Sequence, residues 1–415
     1  MKKRIVIGLL ALALLVAQTL MVTASVPASV VTGDKVSVLD HGAKGDGKTD
    51  DTAAFQNAIN KAAAAKKPVY VPAGTYVLKG SLSLKNTALI GQHAGSFAAD
   101  NCTLPTLVIS NTKEPALRMD NATLSGLRLH CQFGKVETAV KAAENISVEG
   151  NHCRIYNVQT LSSGTGIRVN KSGVTGLEVI NLFMADPYAV GLDIRNTKGT
   201  VLLKNIEVWS STTRDQFLNG GGVGFLLENN ETVTMDSTCV FAADVAYDFK
   251  GKNTVEIVNG CADFSSIGLR VAGSSSVAVT GGTYWAHFMA LQTLSTSATV
   301  KITGTDMCSN GNAVANLLAA KSVEINNSNL RRQAEGHNFP AVAVESEVQK
   351  AVIRGCNLLV RNGSDTSAKA VITFAGKGDV TVDACVLQSE NTATAKGTVP
   401  GNVTWNHNVI GTYMP

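Results

Sequence analysis

Three short stretches of the chain combine side chains that can move protons with side chains that can hold a ring or an anion. They are Asp186-Pro187-Tyr188, the segment that carries Trp209, Arg214 and Asp215, and Tyr284-Trp285-Ala286-His287, which lies one repeat beyond Asp263. Carboxylates, histidine and a tyrosine of tuned pKa act as general acids or bases. Tryptophan offers a flat face to a sugar ring, and arginine forms paired hydrogen bonds with a carboxylate. These residue types together predict proton transfer on an acidic sugar.

We predict catalytic roles for four of these residues and substrate-binding roles for four others. The catalytic set is Asp186, Asp215, Asp263 and His287, and the binding set is Tyr188, Trp209, Arg214 and Trp285. Each stretch also has a structural alternative. The first is an Asp-Pro turn with an aromatic residue packed beside it, and the second is a solvated loop. In the third, Trp285 shares its repeat position with Phe241 and Cys308, which also suits a core residue.

A repeat of 22 or 23 residues runs through the second half of the chain. Strong copies begin at Val233, Val255, Val277 and Val300, and weaker copies begin at Val323, Ala351, Val380 and Val403. Each copy opens with apolar residues at alternate positions, which indicates strands. One such unit cannot bury its apolar face alone and must stack on its neighbours. The sequence therefore predicts an all-β fold, a single-stranded parallel β-helix.

Equivalent positions of successive repeats should stack as columns across the coils. The columns that start at Val233 and Met235 are predicted to point inward. The same register predicts two more columns: Cys239, Cys261, Thr283 and Asp306, and then Ala243, Ser265, His287 and Asn310. Insertions at 209–225 and 331–341 interrupt the repeat, and insertions on a solenoid often form the wall of a binding groove. We therefore expect the site in the middle coils, beside the first insertion.

The chain has eight cysteines, six of which fall into spaced pairs. The pairs are Cys131 with Cys153, Cys239 with Cys261, and Cys356 with Cys385. They fit either the disulfides of an exported protein or a ladder of reduced interior thiols. Directly stacked parallel neighbours give poor disulfide geometry, which favours the ladder. Spacings typical of metal sites, such as Cys-x-x-Cys, do not occur in the sequence, so no metal is predicted from them.

The first residues have the pattern of a secretory signal, predicted over residues 1–28. Met1–Arg4 is basic, Ile5–Val22 is apolar, and small residues follow as far as Ala28. An uncleaved membrane anchor is the alternative, since the apolar run is near the length that spans a bilayer. The β-helix domain is predicted over residues 33–415, with the N-terminal cap and first strands over 33–80. The net charge of +4 lies partly in the signal and does not indicate a nucleic-acid partner.

The segment from Asp40 to Leu78 carries a specific pattern. The sequence GAKGDGKTDDT precedes an alanine-rich amphipathic stretch, Thr52–Ala65, in which Phe55 and Ile59 share one face, and VYVPAGTY follows. This pattern resembles the N-terminal signature of the pectate-lyase-like superfamily of right-handed β-helix proteins. The resemblance implies a right-handed coil and an extracellular polysaccharide context. We interpret Thr52–Ala65 as a helix that covers the N-terminal end of the coil, and Asp46, Asp50 and Asp51 as turn and helix caps.

What the resemblance implies about activity is broad, because the superfamily includes rhamnogalacturonase-type and polygalacturonase-like enzymes, epimerases and phage tailspikes. Motifs familiar in β-helix hydrolases, such as Asn-Thr-Asp, Gly-His-Gly and Arg-Ile-Lys, do not occur in this sequence. Asp186-Pro187-Tyr188 resembles the Asp-Pro-His motif of alginate C5-epimerases and lyases, with Tyr188 in the place of histidine. That difference puts the proton-abstracting role of the motif in doubt.

We predict a secreted enzyme that hydrolyses an acidic, uronate-containing polysaccharide with two carboxylates. A polysaccharide lyase or epimerase is one alternative, and a non-catalytic carbohydrate-binding or tailspike-like surface protein is another. The predicted partner is a polysaccharide, with no nucleic acid and, after signal cleavage, no membrane. No cofactor is predicted for hydrolysis, whereas a lyase would need calcium held by clustered outward carboxylates.

Overall fold

The computed structural model of the protein describes residues 34–92, 104–333, 339–361, 370–390 and 397–412. Within these ranges the chain winds through 33 parallel strands, each paired with strands of the adjacent coils. The architecture is a right-handed parallel β-helix, so the predicted fold class is confirmed. The predicted signal and Cys102 lie outside the described residues. None of the described helices is long and apolar enough to cross a membrane.

The secondary-structure elements follow the repeat closely. The first strands are Val36–Ser37, Asp46–Asp50, Val69–Val71, Thr75–Leu78, Leu82–Lys85, Ala88–Gly91, Thr106–Ile109, Leu117–Asp120, Thr123–Cys131, Ile146–Val148, Arg154–Leu161, Thr165–Val169 and Glu178–Ala185. The middle strands are Val190–Arg195, Thr200–Trp209, Val223–Glu228, Thr232–Phe241, Val245–Lys250, Thr254–Val258, Cys261–Val271, Ser276–Thr280 and Thr283–Thr303. The last strands are Asp306–Ser309, Ala315–Asn326, Asn329–Arg332, Val342–Val348, Lys350–Arg354, Asn357–Val360, Ile372–Phe374, Asp379–Asp383, Val386–Ser389, Val403–Asn406 and Val409–Thr412. The described helices are the 3-10 helix Leu39–His41 and three α-helices, α1 (Thr52–Ala65), α2 (Val136–Lys141) and α3 (Arg214–Asn219).

Each regular coil contributes three strand segments, and these stack into three parallel sheets along the coil axis. Sheet 1 contains the stacked residues Val233, Val255, Val277 and Val300. Sheet 2 contains Val208, Val240, Ala262 and Tyr284, and sheet 3 contains Leu227, Phe249 and Val271. The predicted register of sheet 1 is therefore confirmed, as is the second predicted column, Met235, Ile257, Val279 and Ile302.

The inward columns form one continuous apolar core inside the coil. Val233 and Met235 are fully buried, as are Ile257 and Ile302 in the same sheet. Burying a side chain of this size stabilises the fold by about 1.5 to 3 kcal/mol. Because side chains alternate in a strand, every inward residue of this core places its neighbour on the outer surface. The core thereby decides which residues of each strand can meet a ligand.

A tight turn with a left-handed residue joins sheet 1 to sheet 2 in successive coils. Asn157, Asn181 and Asn205 occupy it with φ values of 53°, 56° and 49°. Asparagine tolerates this conformation better than most residues. The amide of Asn181 donates to Asn157 Oδ1 at 2.9 Å, and that of Asn205 donates to Asn181 Oδ1 at 3.1 Å. The stacked amides hold consecutive coils in register immediately before the strands of sheet 2.

One predicted column needs correction. Cys239, Cys261, Thr283 and Asp306 stack as predicted. In the neighbouring column, however, Ser265 pairs with Ala286 and not with His287, because the register shifts between Asp263 and Ser265. The shift accompanies Phe264, which adopts a left-handed φ of 56°. As a result, His287 lies beside Phe264.

The cysteine predictions have mixed outcomes. No disulfide joins the seven described cysteines. Cys356 and Cys385 occupy equivalent positions of adjacent coils and are buried, as predicted. Cys239 and Cys261 stack, but on the outer face of sheet 2, so the prediction of an interior position was wrong for them. Cys131 and Cys153 do not share a column, because the coil that separates Arg128 from its partner Gln159 is 31 residues long and contains α2.

The N-terminal segment folds around α1. Phe55 and Ile59 are buried, as predicted, and Phe55 packs edge-to-face against Tyr76 with ring centroids 5.1 Å apart. Asp51 is the N-cap residue, yet its carboxylate accepts hydrogen bonds from the backbone of Lys44 and Gly45 at 2.7 and 3.1 Å. The helix packs against the first coils. Its role as a cap of the coil stays a prediction.

Replacing Phe55 with alanine should lower the free energy of unfolding by about 3 to 5 kcal/mol, because a buried aromatic ring is lost and a cavity is left. Chemical denaturation monitored by circular dichroism would measure this change. Lys61→Ala, at an exposed position of the same helix, serves as the control and should change stability little. Equal effects of the two substitutions would contradict a stabilising role for the buried face of α1.

Candidate functional site

The outer face of sheet 2 carries most of the chemically capable side chains of the middle coils. Ile206 and Val208 point into the core, so Glu207 and Trp209 point outward. Two outer columns follow from this register. The first contains Glu207, Cys239, Cys261, Thr283 and Asp306, and the second contains Trp209, Phe241, Asp263, Trp285, Cys308 and Arg331. We call this surface the sheet 2 outer face.

A row of aromatic rings crosses this face along the coil axis. Trp209 stacks on Phe241 with centroids 4.2 Å apart and planes inclined by 11°. Phe241 stacks on Phe264 at 5.7 Å, and the ring of Phe264 meets His287 edge-on at 4.1 Å. The four side chains come from four consecutive coils and are all partly exposed. A row of this kind offers sugar rings an extended apolar surface. We call Trp209, Phe241, Phe264 and His287 the aromatic row.

The insertion after Trp209 forms one side of the aromatic row. It contains α3, whose Phe217 is buried and anchors the insertion on the core. The first residue of α3, Arg214, is exposed and places its guanidinium carbon 5.0 Å from the centre of the Phe264 ring. None of the carboxylates in the described part of the chain forms an ion pair with Arg214. The insertion therefore presents an unpaired cation above the aromatic row.

Asp186 fixes the start of this insertion. Its Oδ1 atom accepts hydrogen bonds from the backbone N–H groups of Ser211 and Thr212, both at 2.7 Å, and of Thr213 at 3.4 Å. The adjacent Pro187 carbonyl accepts a hydrogen bond from the Thr213 hydroxyl at 2.9 Å. The Asp186 carboxylate thus stabilises the conformation of the insertion, which belongs to the next coil. Its predicted catalytic role stays a prediction.

Glu207 is a residue that the sequence reasoning missed. It lies on the sheet 2 outer face between Phe183 and Cys239 of the neighbouring coils. Burial raises its pKa to about 7, and no cation of the described residues pairs with it. The carboxyl group therefore retains its proton close to neutral pH. The signal in the sequence was the position: Glu207 is an outward acid in the same strand as Trp209.

Asp263 and His287 form a second titratable pair at the far end of the row. Burial raises the pKa of Asp263, while the backbone N–H of Phe264 and the nearby His287 oppose this rise. Burial also lowers the pKa of His287, the charge of Asp263 opposes that shift, and the Arg214 guanidinium adds to it. The imidazole is therefore neutral at pH 7 and able to accept a proton. Perturbed pKa values of this kind are common at functional sites.

The structure brings five of the eight predicted residues to one place. These are Trp209, Arg214, Asp263, Trp285 and His287. Trp285 lies on the sheet 2 outer face and is partly exposed, so it is not a core residue. Tyr188 instead lines a small pocket near α2, together with Phe133 and Lys135. Asp215 is exposed in the first turn of α3 and makes no hydrogen bond or ion pair within the described ranges. The predicted roles of all eight stay predictions.

Asp186→Ala should raise the pKa of His287. The substitution removes the acceptor for three backbone N–H groups, so the insertion and Arg214 can move away from the imidazole. Loss of the nearby cation and better hydration both favour the protonated ring. An NMR titration of the His287 ring signals would measure the change.

Arg214→Ala should raise the same pKa, and the double variant should add little to either single substitution. Thr212→Ala is the matched control, because the Thr212 side chain is exposed and only its backbone N–H, which the substitution leaves in place, contacts Asp186. An unchanged His287 pKa in Asp186→Ala, alongside a raised value in Arg214→Ala, would show that Asp186 does not position the arginine.

Two known proteins share a short stretch of sequence with this chain. The preneck appendage protein of Bacillus phage PZA is 49% identical over 57 residues, which are 14% of this chain and 6% of that protein. The polygalacturonase of Prunus persica is 46% identical over 68 residues, which are 15% of this chain and 17% of that enzyme. The chain thus matches only a small part of the length of either relative.

Solved structures share the fold over most of the chain. The A-module of the Azotobacter vinelandii mannuronan C-5 epimerase AlgE6 is 18% identical with a TM-score of 0.55, covering 91% of this chain and 99% of the module. The pre-mature bacteriophage phi29 gene product 12 is 14% identical with a TM-score of 0.59, covering 91% of this chain and 56% of that protein. At these identities the similarity concerns the fold alone. Residues 35–270, more than half of the chain, match the family described as rhamnogalacturonase A/epimerase, pectate lyase-like, and the chain therefore belongs to that family.

Proposed function

We propose that this protein hydrolyses glycosidic bonds in an acidic polysaccharide that lies along the sheet 2 outer face. The observation that carries the proposal is the combination of the aromatic row with two outward carboxyl groups of raised pKa, Glu207 and Asp263. Membership of a polysaccharide-active β-helix family supports the substrate class. The names of relatives, which include a polygalacturonase and a mannuronan epimerase, support it as well.

The substrate chain would bind by stacking and by charge. Trp209, Phe241 and Phe264 offer ring faces from consecutive coils, and the inter-strand spacing of about 4.8 Å is similar to the length of one sugar unit. Above Phe264, Arg214 has no carboxylate partner in the described part of the chain. An arginine without a carboxylate partner can bind a uronate carboxylate through two parallel hydrogen bonds. The site would therefore select at least one acidic sugar unit.

The two carboxyl groups would divide the roles of acid and base. Glu207 has a pKa of about 7, so its carboxyl group keeps its proton below that pH and would protonate the leaving oxygen. Asp263, whose ionised form is favoured by the hydrogen bond from the Phe264 N–H, would activate the attacking water. Two coils and two residues separate them, which is roughly 12 Å between Cα atoms. Inverting enzymes hold their two carboxyl groups about 6.5 to 9.5 Å apart and retaining enzymes about 5 to 5.5 Å. Side chains that lean toward each other from Cα atoms at this spacing would reach the wider range more readily than the narrower one, so we propose inversion of the anomeric configuration.

Glu207→Gln should abolish hydrolysis, because the amide cannot donate the required proton. In the parent protein, activity should fall as the pH rises through about 7, where Glu207 loses that proton. Reducing-end release from polygalacturonate and alginate, measured against pH, would test both points. Glu256→Gln, on the exposed face of sheet 1, is the control. Full activity of Glu207→Gln would reject the assignment.

Glu207 should also make the stability of the folded protein depend on pH, and this effect can be measured without substrate turnover. The folded pKa of Glu207, about 7, lies above the unfolded value of about 4.3. Below pH 4 both states are protonated, whereas between these two values the unfolded state loses its proton more readily. The parent should therefore lose stability as the pH rises from about 4 to about 7. Thermal unfolding of Glu207→Gln should lack this component, and identical pH profiles for parent and variant would contradict the raised pKa.

A second candidate function is proton abstraction from a uronate, as in a lyase or an epimerase. The observation that favours it is the neutral His287 beside Arg214, since neutral imidazole can accept a proton next to a bound carboxylate. We propose calcium as a cofactor for the lyase alternative only. No group of three or more histidine, cysteine, aspartate or glutamate side chains in the described residues is arranged to hold a metal ion.

Product analysis separates these proposals. Hydrolysis gives saturated ends with an inverted anomeric centre, elimination gives unsaturated uronates with ultraviolet absorbance, and epimerisation changes the sugar without cleaving the chain. Binding without any product would favour the non-catalytic alternative. We further propose that the protein acts outside the cell, on the basis of the secretory pattern in residues 1–28.

A further inference from the structure

Trp285, Asp306 and Arg331 form a second cluster on the sheet 2 outer face, and this cluster starts in the coil of His287, the last coil of the aromatic row. They come from three consecutive coils. The indole Nε1 of Trp285 donates a hydrogen bond to Asp306 Oδ2 at 3.3 Å, and Arg331 Nη2 reaches the same oxygen at 2.5 Å. The guanidinium carbon of Arg331 lies 5.7 Å from the centre of the Trp285 ring. The indole is thus held in one orientation from two sides.

The polar side chains of this cluster remain partly accessible beside the indole. Asp306 and Arg331 are 30% and 32% exposed. Asp306 Oδ1 and Arg331 Nε are themselves buried and make no hydrogen bond within the described residues, so the accessible parts are other atoms of these two side chains. A carboxylate accepts hydrogen bonds and a guanidinium donates them, and sugar hydroxyls can do both. The cluster therefore combines a ring face with an acceptor and a donor, as a sugar-binding site does.

The charge of the cluster indicates what kind of sugar it would take. Asp306 neutralises Arg331 through their contact of 2.5 Å, so the pair has little attraction left for a second carboxylate. Arg214 differs, since no ion pair with a described carboxylate engages it. The two arginines of this face would therefore bind different groups. Arg214 suits a uronate carboxylate, whereas Arg331 with Asp306 suits the hydroxyls of a neutral unit.

We propose that Trp285, Asp306 and Arg331 form a distal subsite for a neutral pyranose unit of the substrate. The subsite rests on the proposed function, because it extends the same groove. Trp285 lies one coil beyond Asp263, and Arg331 lies three coils beyond it. At about 4.8 Å for each coil, the subsite is one to three sugar units from Asp263. A disaccharide could reach from Asp263 to Trp285 only, whereas a substrate of about four units would extend from Asp263 to Arg331, so the whole subsite would favour attack within a polymer.

The test is binding as a function of chain length in the Glu207→Gln background, which prevents turnover. The probes are galacturonate, mannuronate and glucose oligosaccharides, from disaccharides to long oligomers, together with methyl-esterified galacturonate oligomers that carry neutral units. Affinity would be measured by calorimetry for Trp285→Ala, Trp285→Phe and Arg331→Met. Lys301→Ala, exposed on sheet 1 of a neighbouring coil, is the control.

Trp285→Ala should weaken the binding of long oligomers roughly tenfold, the effect of losing one aromatic contact, and should weaken disaccharide binding less, because a disaccharide can bind on the other rings of the aromatic row. Trp285→Phe should recover much of the loss, and Arg331→Met should weaken esterified oligomers at least as much as unesterified ones. Equal affinities of parent and Trp285→Ala for every oligomer, or no binding at all, would overturn the subsite. Length-dependent binding without hydrolysis by the parent would uphold the subsite and reject only the hydrolytic proposal. Equal rates of hydrolysis with Trp285 and with alanine in its place, for substrates of every length, would reject the subsite but not the hydrolytic proposal.

Discussion

The structure depends on the burial of alternate side chains in every strand of the coil. Val233, Val255 and Val277 stack in register because each can bury its surface only against the coils above and below it. Because successive side chains of a strand point to opposite faces, the residues between the buried ones must face outward. Glu207 faces outward because Ile206 and Val208 must face inward. The composition of the groove is therefore a consequence of how the core is packed, and a shift of one residue would bury the acid and expose the valine.

Side chains that point outward from the sheet 2 outer face are not necessarily fully hydrated. Adjacent coils are close enough that neighbouring side chains shield one another, as Phe183 and Cys239 do on either side of Glu207. This shielding raises the pKa of the glutamate, and no charged group among the described residues contributes to the shift. The same crowding lets Trp209 and Phe241 stack almost parallel. Regular coil spacing thus produces both an acid of raised pKa and a platform of stacked rings.

The sequence allowed the repetitive part of this arrangement to be predicted, and the irregular part only in outline. Repeat spacing predicted the columns of sheet 1 and the stacking of Cys239 with Cys261. It misplaced His287, because the left-handed Phe264 shifts the register and periodicity contains no sign of that shift. It also paired Cys131 with Cys153, since 22 residues is not the coil length where α2 intervenes. Glu207 escaped notice because its pKa depends on neighbours from other coils, which distance in sequence conceals.

Asp186 illustrates how a residue can matter to a groove without touching what binds there. Its carboxylate accepts hydrogen bonds from backbone N–H groups of the insertion, which begins immediately after the strand that ends at Trp209. The short connection between sheets 2 and 3 seen in other coils would leave the aromatic row open to solvent on that side. The longer connection supplies Arg214, but a longer loop needs an anchor to hold a charged group in place. Phe217 in the core and Asp186 at the strand end are those anchors. The regular coils thus provide the acids and rings of the groove, and the anchored insertion after Trp209 provides a cation that no described carboxylate pairs with.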